Sequence, residues 1–195
     1  MEAVLERWLE EVLATPGLTS LKDLDTARGV LVDDALRAMP VVSANSGPVV
    51  DLGSGGGSPG IPLAVSLPDR PVTLLEAQRR KCEFLERFAA VLPNVGVVWG
   101  RAEDAPVDAY GVALAKALAK PPVAAELCLP LVRPGGVAVL WVGATADVDA
   151  VAHVAERLAG RVEERLEGLV VLRKTGPTPP GFPRRPGMAK KRPLV

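Results

Sequence analysis

The chain of 195 residues is long enough for one domain with a sizeable core and too short for a second full one; 48% of its residues are apolar but only 4% aromatic, which predicts an aliphatic interior. Basic and acidic residues number 23 each, so no overall positive charge marks a nucleic-acid binder. The distribution is uneven: Arg173, Lys174, Arg184, Arg185, Lys190, Lys191 and Arg192 follow residue 172 with no acid among them, leaving 16 basic against 23 acidic before it, net −7.

Leu5, Trp8, Leu9, Val12 and Leu13 recur at helical spacing through the charged stretch Glu2 to Ala14, up to the break at Pro16-Gly17. That opening is no signal pattern, and no 18-residue apolar run occurs later in the chain, so a soluble cytoplasmic protein is expected. A second helix is expected from about Thr26 to Met39, making 1–47 a helical segment packed on the sheet of the domain after it. From residue 48, strand patterns at 48–52, 71–76, 95–99, 109–115 and 136–142 alternate with helix patterns at 60–67, 78–92, 121–132 and 146–159. Such alternation predicts an α/β domain over 48–174, its sheet mostly parallel with helices on both faces. Runs near 161–166 and 168–174 are separated only by Glu167-Gly168, too short for a parallel crossover, so they should form a hairpin that adds an antiparallel strand. Residues 175–195 hold six prolines and three glycines, which predicts an extended basic arm without a helix.

Residues 49–62, V-V-D-L-G-S-G-G-G-S-P-G-I-P, set an acid at the end of a buried strand and follow it with a glycine loop and a helix start. Glycines allow a tight turn and a close backbone approach to a ligand, an arrangement suited to a nucleoside cofactor. The G-x-G-x-x-G at Gly55 to Gly60 is the pattern of pyrophosphate-binding dinucleotide folds. An ionised Asp51 would repel a pyrophosphate but attract the ammonium and sulfonium groups of S-adenosylmethionine, so D-x-G-x-G reads as a methyl-donor site. Glu76 ends the next apolar run 21 residues after Gly55 and can accept both ribose hydroxyls; NAD would be served equally. A third strand runs into Gly100-Arg101-Ala102-Glu103-Asp104 at the same sheet edge, where Ala102 and Glu103 or Asp104 could meet adenine or merely cap a helix.

Other chemistry is scarce. Cys82 and Cys128 lie 46 residues apart in different predicted helices and read as reduced core thiols; with His153 the only histidine, no metal site is expected. Trp8, Trp99 and Trp141 could stack bases but read more readily as core, Glu126 and Arg133 read as solvated helix charges, Arg79-Arg80-Lys81 as a solvated helix face or a phosphate contact, and Lys120-Pro121-Pro122 as a helix start.

Together, D-L-G-S-G-G-G-S-P-G-I-P and the ending P-T-P-P-G-F-P-R-R-P-G-M-A-K-K-R-P-L resemble the bacterial small-subunit ribosomal RNA methyltransferase G family, also called glucose-inhibited division protein B. The resemblance spans roughly residues 28–195. It implies a Rossmann-like class I S-adenosylmethionine-dependent methyltransferase fold with a seven-stranded sheet whose last strand is antiparallel. It also implies methyl transfer to N7 of guanine 527 in 16S rRNA, on that RNA or a 30S assembly intermediate, by a monomer needing neither membrane nor metal. Family cofactor contacts carry over to Gly53, Ser58, Glu76, Ala77, Gln78, Ala102, Glu103 and Lys116, beside Asp51 and Gly55 from the motif itself. No catalytic residue is assigned beyond Lys116 as a candidate, and the tail residues Arg184, Arg185, Lys190, Lys191 and Arg192 are the expected RNA contacts.

The chain departs from that pattern. Lys116 stands where an arginine is usual, Ser58 where a larger apolar residue is, and basic residues of the family are replaced at Val30, Leu31, Val142, Glu167 and Gly168. A small-molecule methyltransferase of the same fold, a nonenzymatic ribosome-assembly or regulatory binder, and an NAD-dependent oxidoreductase therefore stand as alternatives.

Overall fold

The protein is described by a computed structural model over residues 2–195. Five parallel strands, β1 (Val49–Leu52), β2 (Val72–Glu76), β3 (Val95–Trp99), β4 (Tyr110–Ala115) and β5 (Val132–Trp141), are completed by β6 (Gly160–Leu166) and β7 (Leu169–Lys174) in one sheet of order β3-β2-β1-β4-β5-β7-β6. Strand β7 runs antiparallel to both β5 and β6, as a two-residue link requires, and Gly168 takes a positive φ of +69° in that turn. The order reverses between β1 and β4, opening a crevice at their carboxyl ends.

Alternation along the strands divides the interior into two cores. Val49, Leu74, Val112, Val137 and Val139 face α1 (Glu2–Ala14), α5 (Gly60–Ser66) and α6 (Arg79–Ala89), where Trp8, Ile61 and Phe88 are sealed. Val50, Leu52, Ala113, Ala138 and Leu140 face α7 (Pro121–Cys128) and α8 (Val148–Arg157). Asp51 therefore shares the first face, under the start of α5. Both cysteines are free and buried, and burial pushes both thiols up, as inert core thiols require.

Several boundaries differ from expectation for identifiable reasons. The helix expected over 26–39 is split into α2 (Leu24–Arg28), a π-turn (Gly29–Asp33), α3 (Asp34–Leu36) and α4 (Met39–Ala44). Asp23 starts it early by accepting the Thr26 N–H at 2.8 Å, and Pro40 is tolerated in the first turn of α4. Helix α7 stops at Cys128, and a short 3₁₀ turn (Leu129–Leu131) follows it, because Pro130 has no N–H to continue the α ladder. Strand β5 begins four residues early, so Arg133 is an exposed strand residue and not a helix charge.

The tail is neither a free arm nor without a helix. Residues 175–195 fold back along α7 and form a one-turn helix, α9 (Met188–Lys191), with Ala189 buried. Lys174 is fully buried: its Nζ donates to the Leu129 carbonyl at 2.9 Å and to Thr178 Oγ1 at 2.7 Å, and desolvation lowers its pKa.

Candidate cofactor site

The glycine loop leaves β1 with Gly53 at φ +67° and Gly55 at φ +57°, a left-handed path that a side chain resists. The N–H groups of Gly53 and Ser54 donate to the Leu75 carbonyl at 2.8 and 3.2 Å, and the Gly55 N–H donates to Glu76 Oε2 at 3.0 Å. The loop is thereby stitched to the end of β2. From behind, the Trp8 indole donates to the Gly56 carbonyl at 2.7 Å, so α1 holds the turn in place.

A cavity of about 430 Å³ opens at this edge of the sheet, lined by Gly53, Glu76, Ala77, Gln78, Ala102 and Glu103, six of the ten expected cofactor residues. Leu52, Leu75, Leu118 and Leu127 supply apolar wall. Glu76 is nearly buried and accepts the Gln78 N–H on Oε1 at 2.8 Å, so its two oxygens are aimed by backbone amides while each keeps a second lone-pair direction for a ligand hydroxyl. Two carboxylates, apolar faces and a glycine edge make a donor set that fits S-adenosylmethionine, with Glu76 suited to its ribose and Ala102 and Glu103 to its adenine.

The remaining four do not line that cavity. Asp51 is 1% exposed and accepts the Gly60 N–H on Oδ2 at 3.1 Å, while Oδ1 has no hydrogen-bond partner among the described residues. Burial pushes its pKa up to about 7, so the expectation of a fully ionised side chain facing the ligand is corrected: Asp51 fastens the start of α5, and the acids on the cavity are Glu76 and Glu103. Gly55 serves through its bond to Glu76. Ser58 turns away and donates to the Leu31 carbonyl at 2.8 Å. Lys116 bridges to Asp34 at 2.8 Å and also donates to the Val30 carbonyl, tying the end of β4 to the N-terminal segment.

Among charges and aromatics, three expectations are overturned. Glu126 is not solvated but 4% exposed, and Arg184 is no free RNA contact: its Nε and Nη2 donate to the two Glu126 oxygens at 2.6 and 2.7 Å. Trp99 is not core but 63% exposed at the end of an edge strand, its indole donating to the Ala77 carbonyl and the Arg79 guanidinium 5.6 Å from its ring centre. Trp8 is fully buried and Trp141 half-buried. Arg185, Lys190, Lys191 and Arg192 are exposed. Cavity residues that sequence reasoning missed include Lys81, Arg101, Leu118, Gly187 and Ala189; Lys81 belongs to the basic cluster Arg79-Arg80-Lys81 and Arg101 to the segment expected at this sheet edge, whereas nothing local marks the other three.

The positions read from the sequence as departures from the family pattern lie close together. Val30, Lys116, Val142 and Gly168 lie by the carboxyl edge of β4 and β5, and Arg37 reaches the same place, bonding Asp34 at 3.0 Å and the Glu167 carbonyl. A side chain at Gly168 would start 3.1 Å from the Arg37 guanidinium, so the missing side chain there leaves room for this cation.

A family model described as rRNA small subunit methyltransferase G matches residues 3–166. The protein named Ribosomal RNA small subunit methyltransferase G in Moorella thermoacetica is 34% identical over 91% of this chain and 82% of its own length; that of Symbiobacterium thermophilum is 38% identical over 83% and 76%. Among solved structures, a TehB-like SAM-dependent methyltransferase from Corynebacterium glutamicum aligns at TM-score 0.59 with 17% identity, over 89% of this chain and 97% of its own. The 1,6-didemethyltoxoflavin-N1-methyltransferase of Burkholderia thailandensis aligns at TM-score 0.60 with 15% identity, over 89% and 88%, which bears out the fold. On these matches and the geometry that underlies them, the chain belongs to the rRNA small subunit methyltransferase G family.

Proposed function

We propose that this S-adenosylmethionine-dependent rRNA methyltransferase modifies N7 of guanine 527 in 16S rRNA, by in-line displacement without a general base. The observation that carries the reading is the cavity between Gly53 and Glu76 at the reversal point of the sheet, in a chain of this family. When bound there, the cofactor supplies a sulfonium methyl. The protein's part would be to orient: Glu76 would accept from the ribose hydroxyls, while Gly53 of the glycine loop and the leucine side chains that line the cavity would shape and partly dry the rest of the site.

Guanine N7 carries a free lone pair at neutral pH, so no side chain has to remove a proton. Holding the two atoms about 3–3.5 Å apart and in line supplies several kcal/mol of the barrier. N7 faces a deep narrow groove in A-form RNA, and the target is therefore a guanine splayed out of a loop or junction. Arg37 and the exposed Arg185, Lys191 and Arg192 are suited to RNA phosphates, and Trp99 beneath Arg79 offers an unpaired base a stacking surface.

The test is strand scission at N7-methylguanine in 16S rRNA from cells with and without the gene. A single site, cut only when the gene is present, is expected. Identical patterns, with label from the methyl donor passing to a metabolite, would favour a small-molecule acceptor.

A further inference from the structure

The path of the tail past α7 is set at three internal anchor points. Thr178 gives its N–H to Asp108 Oδ2 at 3.1 Å and its hydroxyl to Oδ1 at 2.7 Å. Arg184 grips the buried Glu126 with two nitrogens. The Gly187 N–H then donates to Glu103 Oε1 at 2.8 Å, across the mouth of the cofactor cavity. Gly187, at φ +82°, turns the chain into α9 so that Ala189 is 3% exposed, and Gly187, Ala189 and Lys190 line the same cavity as Glu76, Gln78 and Ala102. An arm kept free for RNA would not bury its alanine or commit an arginine to an internal carboxylate, because ordering each residue costs about 1–2 kcal/mol of backbone entropy.

We propose that residues 187–190 are part of the S-adenosylmethionine site and close its adenosine end. This rests on the cofactor assignment and is independent of the methyl acceptor. Ala189 and Ala102 give a purine two small apolar contacts. The Gly187 amide fixes one oxygen of Glu103 and leaves Oε2 to accept from the exocyclic amine of adenine. Lys190 brings a positive charge to a rim where Glu76 and Glu103 gather negative charge. Without residues 187–190, one side of the adenosine pocket is open water, and bound nucleoside leaves faster.

The experiment compares S-adenosylhomocysteine binding to the full chain and to a chain ending at Pro186, which keeps the Thr178 and Arg184 anchors, by calorimetry. The truncated chain is expected to show a Kd raised about tenfold or more, expressed mainly in the dissociation rate, with its ligand-free thermal midpoint little changed. In the full chain, amides 187–190 should gain hydrogen-exchange protection when S-adenosylhomocysteine is added. This arm decides the matter even if the truncation does not fold, as does A189E in the full chain, expected to raise Kd similarly. Equal affinities with unaltered exchange overturn the proposal, whereas a full chain that binds no S-adenosylhomocysteine overturns the cofactor assignment beneath it.

Discussion

The Gly55 amide donates to Glu76 Oε2 at 3.0 Å, joining the turn after β1 to the acid that ends β2 across 21 residues. One carboxylate thus holds the loop's shape and faces the ligand cavity. Glu76→Ala removes both roles and is expected to raise the Kd for S-adenosylhomocysteine by about 100-fold, measured by calorimetry; a change smaller than about threefold contradicts the assignment.

Asp51 makes stability pH-dependent with a definite sign. Its pKa rises from 3.8 to about 7 on folding, so the folded chain holds a proton where the unfolded chain has already released it. Its contribution to stability is undiminished below the unfolded value, falls as pH rises from about 4 to about 7, and is level above that. Asp51→Asn keeps an acceptor for the Gly60 N–H and removes the titration. Relative to wild type the variant should gain on the order of a few kcal/mol between about pH 4 and about pH 8 in denaturant unfolding. A difference independent of pH would mean Asp51 is ionised throughout.

Arg184 and Glu126 behave as a pair. Arg184→Ala leaves a carboxylate in an apolar setting and is expected to cost about 2–4 kcal/mol in chemical denaturation, whereas adding Glu126→Leu to it should recover most of the loss. If the double variant is as unstable as the single one, the pair does not anchor the tail.

Arg37 is an exposed cation held between Asp34 and the Glu167 carbonyl, beside Gly168. Arg37→Ala should weaken binding of 16S rRNA and flatten the salt dependence, by roughly 0.7 in log–log slope if one single-stranded phosphate contact is lost. Affinity for S-adenosylhomocysteine should be unaffected. An unchanged slope would remove Arg37 from the RNA surface.

The alternation of apolar runs and glycine signals from residue 48 made the sheet, the hairpin and the glycine loop legible, because strand burial and turn chemistry are local properties. Glu76 was legible for the same reason, since it ends such a run, whereas position alone left Glu103 and Asp104 as equals and the family resemblance chose Glu103. What Asp51, Glu126, Trp99 and Arg184 do was not. A buried acid and a solvated one look alike until a distant partner arrives, as Arg184 does for Glu126 from 58 residues away. Trp99 continues an apolar run, yet β3 ends up at the sheet edge, where no neighbouring strand covers it. The tail's prolines and charges signalled an absence of regular structure, but a chain can be irregular and still docked when its bonds go to side chains elsewhere.

The most direct measurement is the atom that receives the methyl group. Small ribosomal subunits from cells lacking the gene, incubated with purified protein and methyl-labelled S-adenosylmethionine, should yield label in 16S rRNA that digests to 7-methylguanosine, with about one methyl per particle and almost none from the Glu76→Ala protein. Label on another base or another atom of guanine, or none in RNA while S-adenosylhomocysteine still binds, would contradict the account.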